Sequence, residues 1–189
     1  MVQVQKPEIK NAILREAKRE FIENGFQQTS IRRIAKNANI TSGNIYKYFS
    51  GKEVLFEHLV STAKEGLYDY IKEKATRTKI HAADAPFDIL EFAHLMSDYR
   101  DEILLLTDAS AGTKYENTTE EIIKMITINI RLFLPNFGFP DNKSGDILAR
   151  SVAVGLLSGL LEILRTSTDK GEINTSVTDY ITFVFRSYM

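Results

Sequence analysis

Apolar residues recur at helical rather than strand spacing along this chain, and this pattern restricts the fold more than any other feature of the sequence. Near the N-terminus Ile9, Ile13, Ala17 and Phe21 step by four, and Gly25 follows as a stop signal. Only four prolines occur in 189 residues. We therefore expect an all-α protein with one compact domain, or with a small domain joined to a larger one.

Two short helices are predicted in the next part of the chain. Thr29 can cap the first of them, which ends near residues 37–39. Thr41 caps the other, and Ile40 and Ile45 occupy the N′ and N4 positions of a hydrophobic staple that fixes how the chain enters it. The turn between the two helices is therefore tightly specified.

A long helix follows and joins the N-terminal part to the rest without a flexible linker. It is predicted to start near Ser50 and to run towards Tyr70. Further helices are predicted at residues 85–97, 99–109, 118–134, 146–166 and 176–188. The last two have broad apolar faces, and a large exposed apolar patch on a monomer usually marks a partner surface. Small residues at Ser151, Gly155 and Gly159 would let another helix approach closely, but they can equally serve packing inside one subunit.

The net charge of −1 conceals a strong asymmetry. Residues 1–52 hold ten Lys and Arg against four Asp and Glu, whereas residues 53–189 hold fourteen against twenty-one. A basic segment on an otherwise acidic chain fits contact with a polyanion, because each neutralised phosphate releases counterions. A solvated helical surface would carry the same charges, so charge alone does not decide between the two.

Other chemistries find no support in the sequence. The chain has no cysteine, and its three histidines have neither metal spacing nor a nucleophile motif, so we predict no metal, no cofactor and no enzymatic activity. The N-terminus lacks the apolar core of a signal peptide, and no run approaches the roughly 18 apolar residues of a spanning helix. We therefore expect a soluble cytoplasmic protein without a membrane partner.

The two short helices and their basic surroundings have the layout of a helix-turn-helix DNA reader. On the second helix Ile45 and Phe49 lie four apart and face inward, so the residues around them face outward. Gly43 costs about 0.5–1 kcal/mol relative to Ala in a helix, yet it removes a side chain where the backbone could approach base edges. The alternative is that Tyr46 and Tyr48 merely cover the core and that Gly43 only eases the turn.

The segment Thr29–Phe56 resembles the DNA-binding segment of the TetR family of transcriptional regulators. The resemblance rests on three groups of residues, which are Thr29, Ile34, Ala35 and Ala38; Thr41, Gly43, Ile45, Tyr46, Tyr48 and Phe49; and Lys52, Glu53 and Leu55. The chain departs from the family pattern at Asn39, where a glycine is usual, but Asn tolerates left-handed geometry. In its motifs the resemblance covers about the first third of the chain.

The resemblance implies a helix-turn-helix DNA-binding domain, residues 1–52, and a larger helical ligand-binding and dimerisation domain, residues 53–189. The base-facing residues would be Ser42, Gly43, Asn44 and Tyr46. The residues that face phosphates or support the duplex would be Thr29, Ser30, Arg32, Arg33, Thr41, Lys47, Tyr48 and Lys52. The last two helices would form a homodimer interface through Val152, Gly155, Leu156, Gly159, Ile163, Ile181, Val184, Phe185 and Tyr188.

Such a protein would be a homodimeric repressor that binds an inverted repeat in double-stranded DNA and is released by a small apolar or aromatic ligand. The candidate pocket residues are Tyr68, Phe92, Met96, Tyr99, Tyr115, Met125 and Phe133, although aromatic residues at helical spacing are more often simple core. The alternative is a DNA-associated adaptor of the same fold whose C-terminal domain binds a protein partner. The sequence does not specify the ligand, the operator, or repression rather than activation.

Overall fold

The computed structural model describes residues 6–76 and 89–186, and these residues form helices and connecting turns. The helices are α1 (Pro7–Gln28), α2 (Ile31–Asn37), α3 (Ser42–Tyr46), α4 (Lys52–Thr76), α5 (Ile89–Asp98), α6 (Arg100–Asp108), α7 (Thr118–Phe133), α8 (Lys143–Thr166) and α9 (Lys170–Arg186), with a 3-10 turn at Leu134–Phe137. The predicted all-α fold class is confirmed. Residues 85–88 of the predicted helix at 85–97, and the predicted interface residue Tyr188, lie outside the described residues.

The chain divides into two compact units. The first combines Met1–Lys64 with Asp101–Glu116, and the second combines Glu65–Arg100 with Asn117–Met189. These units do not share the predicted boundary after residue 52, which stays a prediction about where the DNA-binding function ends.

The core of the first unit is built around three phenylalanine rings. The ring centroid of Phe21 lies 5.8 Å from that of Phe26 and 5.1 Å from that of Phe56, and all three side chains are buried. Leu105 of α6 is fully buried in the same cluster. The sequence pattern did not predict this, because nothing local in α6 tells which helices its apolar face will contact.

The position of Tyr115 differs from the one predicted from the sequence. It was assigned to a ligand pocket of the larger domain, but it lies in the core cluster of the first unit, 7% exposed and with its ring 6.1 Å from that of Phe56. Lys64 lies over the same ring at 5.1 Å. Tyr115 therefore completes the core of the first unit.

The end of α1 agrees with the prediction at Gly25, but the cap of α2 differs from it. Gly25 interrupts the helix with φ of 70° and ψ of 166°, a region essentially restricted to glycine. Thr29 does not cap α2, because its hydroxyl donates to the carbonyls of Glu20 and Gly25 instead. The cap is Ser30, whose side chain accepts a hydrogen bond from the amide of Arg33.

In the second unit α8 packs against α7 and α9, and α5 packs against α9. A Cβ atom on Gly159 would lie 2.3 Å from the Tyr180 ring, and the Tyr180 hydroxyl donates to the carbonyl of Gly155. Gly159 therefore packs against Tyr180 inside one subunit. This corrects its assignment to the dimer interface. Leu156 and Ile181 are corrected for the same reason, because each is buried within the chain itself.

Helix α8 is long and apolar enough to span a membrane on length and composition alone, with a mean hydropathy of 1.9 over its most apolar window. The sequence expectation that no segment approaches a span was therefore too simple. One such helix is weak evidence, since core helices of soluble proteins pass the same test. Eight residues of α8 are buried in this chain.

Candidate nucleic-acid interface

The turn between α2 and α3 is fixed by backbone geometry and by the cap of α3. Asn39 has φ of 54°, so the predicted left-handed conformation at this position is confirmed. The amide of Ile40 donates to the carbonyl of Ala35 at 2.9 Å. Thr41 caps α3 as predicted, because its hydroxyl accepts from the amide of Asn44 at 3.3 Å.

Helix α3 presents the outward face that the sequence predicted. Ile45 is fully buried and Phe49 is 4% exposed, so both face the core of the first unit. The side chain of Tyr46 is 56% exposed. Thr41, Gly43 and Lys47 are also exposed, and Ser42 and Asn44 are half-buried. The four predicted base-facing residues therefore lie on one accessible segment.

Gly43 is not required by the fold. A Cβ atom built at this position would meet only the Thr41 hydroxyl oxygen, at 3.8 Å, which is an ordinary contact. The backbone is helical here, so no positive φ favours glycine either. The suggestion that Gly43 only eases the turn therefore has no geometric support.

Two residues that were predicted to contact phosphates form hydrogen bonds with groups of the protein itself. The ammonium group of Lys52 donates to the carbonyls of Phe26 at 2.7 Å and Thr29 at 3.0 Å, and it lies 4.1 Å from the centre of the Phe26 ring. Thr29 is 3% exposed, with its hydroxyl bound to α1. These contacts close the end of α1. They correct the assignment of buried Thr29, whereas the phosphate contact of half-buried Lys52 stays a prediction.

Arg33 and Tyr48 are likewise held by the chain. The Arg33 guanidinium contacts the buried carboxylate of Glu20, with Nε at 3.0 Å from Oε2, and donates to the carbonyl of Gln28. The Tyr48 hydroxyl accepts from the amide of Lys6 at 2.9 Å. Of the predicted supporting residues on α2 and its cap, Ser30 and Arg32 are exposed.

Glu20 was missed by the sequence analysis. It is 4% exposed and accepts hydrogen bonds from Asn37 at 2.6 Å and Asn24 at 3.3 Å besides its contact with Arg33. A signal was present, because Glu20 follows Ala17 by three residues and so lies in the apolar row of α1. A charged residue in such a row needs a buried partner.

The predicted pocket residues of the second unit are mostly core. Phe92 and Met96 are buried, and the Phe92 ring stacks on Tyr70 with centroids 4.9 Å apart. Tyr68 donates to the Glu121 carboxylate, and burial together with this hydrogen bond raises the pKa of the Tyr68 phenol. The remaining candidates, Tyr99, Met125 and Phe133, are half-buried.

A groove of about 510 Å³ lies in the first unit. Its lining residues are Leu14, Arg15, Lys18, His58, Leu59, Asp101 and Glu102. The ligand pocket in the second unit stays a prediction.

The fold and the α2–α3 surface define a helix-turn-helix protein with a second, larger helical unit. Residues 13–59 match the family model of bacterial regulatory proteins, tetR family. The probable HTH-type transcriptional regulator YttP of Bacillus subtilis is 37% identical over 90 residues, which is 45% of this chain and 44% of that protein. The matched region thus spans less than half of that relative.

Solved structures extend the similarity of fold to almost the whole chain. SCO3833, a TetR regulator from Streptomyces coelicolor A3, has a TM-score of 0.72 at 19% identity, covering 98% of this chain and 93% of that one. NalD, the secondary repressor of the MexAB-OprM multidrug efflux pump in Pseudomonas aeruginosa, has a TM-score of 0.55 at 21% identity, covering 95% and 94%. The helix-turn-helix segment therefore matches the tetR family of bacterial regulatory proteins, and almost the whole chain shares the fold of TetR-family structures.

Proposed function

We propose that this regulator is a cytoplasmic homodimeric repressor that reads an inverted repeat with α3 and is released from it by a small apolar or aromatic ligand. The observation that carries the DNA-reading role is Gly43. A glycine that the fold does not need, beside the exposed ring of Tyr46, fits a surface shaped for an external partner. Close approach to base edges is the reason we give for it.

The direct test replaces Gly43 by alanine. Gly43→Ala should leave the fold unchanged or stabilise it, because its Cβ has room, yet it should weaken binding to the selected DNA by about 1–3 kcal/mol. Gly66→Ala is the matched control, since its Cβ would meet only Leu95, at 3.5 Å. If both variants bound DNA like the wild type, α3 would not be the reading helix.

The DNA sequence itself can be found by selecting from a random pool with the purified protein. An inverted repeat is expected, because a two-fold dimer places two recognition helices roughly 34–36 Å apart, or multiples of that distance. Tyr46→Ala and Asn44→Ala should broaden the selected sequence, since base contacts carry the specificity. Recovery of a single unrepeated half-site would count against a dimeric reader.

The homodimer is supported by apolar side chains that the chain leaves exposed on its last two helices. Phe183 of α9 is 77% exposed, and Ile147 and Val154 of α8 are 60% and 38% exposed. Gly155 is exposed, and a Cβ atom there would meet nothing within 4 Å. Of the other predicted contacts, Val152, Ile163, Val184 and Phe185 are half-buried and available in part.

Phe183→Asp tests this surface without disturbing the chain's own core. It should convert the dimer into a folded monomer in sedimentation velocity, because a carboxylate would have to be desolvated at the interface. Leu90→Asp is the control, since Leu90 is a 64% exposed apolar residue of α5. A wild-type protein that is monomeric at micromolar concentration would refute the proposed dimer.

The ligand is proposed from the buried aromatic and methionine side chains of the second unit, such as Phe92 and Met96. A screen of apolar and aromatic metabolites should yield a compound that raises the melting temperature and releases DNA. If no compound does so and the second unit captures a protein instead, the DNA-associated adaptor is the better description.

A further inference from the structure

We propose that Glu20 limits the sequence-independent affinity for DNA, because it holds Arg33 on the protein and so keeps one positive charge away from the DNA backbone. This inference rests on the proposed DNA-binding function. Glu20 lies in α1 and Arg33 in the first turn of α2, the helix before the reading helix. The ion pair therefore controls a cation that the family resemblance would assign to the duplex.

The carboxylate of Glu20 is fully engaged by its surroundings. Oε1 accepts from Asn37 at 2.6 Å, and Oε2 faces Asn24 at 3.3 Å and Arg33 at 3.0 Å. The Glu20 side chain is only 5% exposed, so its charge needs a partner of opposite sign. Arg33 is that partner, and moving it to a phosphate would leave the carboxylate buried without a cation.

The guanidinium of Arg33 is accessible to solvent, but it already binds acceptors within the protein. Its side chain is 41% exposed, so it could be reached from solvent, yet Nε is directed at Glu20 and Nη2 at the carbonyl of Gln28. The neighbouring Arg32 is exposed on the same turn. The two adjacent arginines thus differ in role, since Glu20 fixes one of them and the other faces solvent.

Phosphate contacts are the main source of sequence-independent affinity, and each one adds about 0.9 to the slope of log K against log salt. A cation kept from the backbone lowers binding to the selected site and to unrelated DNA by the same factor, because phosphate contacts do not depend on sequence. By holding Arg33, Glu20 therefore limits the overall affinity for duplex DNA and the salt dependence of binding.

The experiment measures the salt dependence of binding to the selected site and to unrelated duplex DNA. Glu20→Gln keeps the shape of the side chain and removes its charge. It should steepen the slope by about 0.9 and tighten binding to unrelated DNA by roughly eightfold at 0.1 M salt. The double variant Glu20→Gln with Arg33→Gln should return the slope to the wild-type value.

If Glu20→Gln does not fold, the single variant Arg33→Gln tests the same inference. In the otherwise wild-type protein it should leave the slope unchanged, whereas Arg32→Gln should flatten it by about 0.9. A flatter slope for Arg33→Gln, or an unchanged slope for folded Glu20→Gln, would overturn the inference. A wild-type protein that bound no DNA would instead refute the proposed function.

Discussion

Replacing Lys52 by methionine should damage the stability of the first unit and leave the electrostatics of DNA binding unchanged. The sequence resemblance assigned Lys52 to a phosphate, and a phosphate contact would give the opposite pattern. In the structure the ammonium group binds two carbonyl oxygens, those of Phe26 and Thr29, and lies over the Phe26 ring. Methionine keeps a similar length and apolar stem, but it cannot donate a hydrogen bond.

The size of the effect follows from the contacts that are lost. A hydrogen bond from a charged donor contributes about 1.5–3 kcal/mol, and a cation over an aromatic ring about 0.5–1 kcal/mol at an exposed site. Lys52 is half-buried, and water can replace part of its bonding to the two carbonyls. We therefore expect a loss of about 2 kcal/mol in the free energy of unfolding.

Urea unfolding followed by circular dichroism measures this loss, and fluorescence anisotropy at several salt concentrations measures the DNA slope. Lys36→Met is the matched control, because Lys36 is exposed on α2. Its unfolding free energy should stay within about 0.5 kcal/mol of wild type. If Lys52→Met unfolded like the wild type while its salt slope flattened by about 0.9, the structural role argued for Lys52 would be wrong.

Two further substitutions test the backbone geometry. Gly159→Ala should lower the melting temperature, because its Cβ would lie 2.3 Å from the Tyr180 ring. Asn39→Gly should stabilise the first unit by a few tenths of a kcal/mol, because glycine adopts the observed φ of 54° more readily, and loss of stability there would refute the argument. Thermal unfolding of the purified variants measures both.

Much of the helical order could be predicted, because helix formation follows local spacing and capping. The cap at Thr41, the inward position of Ile45 and the left-handed Asn39 all depend on residues within a few positions along the chain. The burial of Leu105 and Tyr115 in the first unit could not be predicted in this way. It depends on contacts between residues that are far apart in sequence, and periodicity carries no information about them.

The differences between the motif-based assignments and the observed contacts of Arg33 and Lys52 have one physical cause. A motif specifies which residue stands at a position, but the use of a cation depends on the acceptors that the fold brings to it. Lys52 meets the carbonyls at the end of α1, and Arg33 meets a buried carboxylate, whereas Arg32 faces solvent. Counting basic residues in the segment therefore overestimates the charge available to DNA. These cations differ in whether a move towards a phosphate would leave an acceptor in the protein without its partner. For Arg33 it would, because the buried carboxylate of Glu20 would lose its cation.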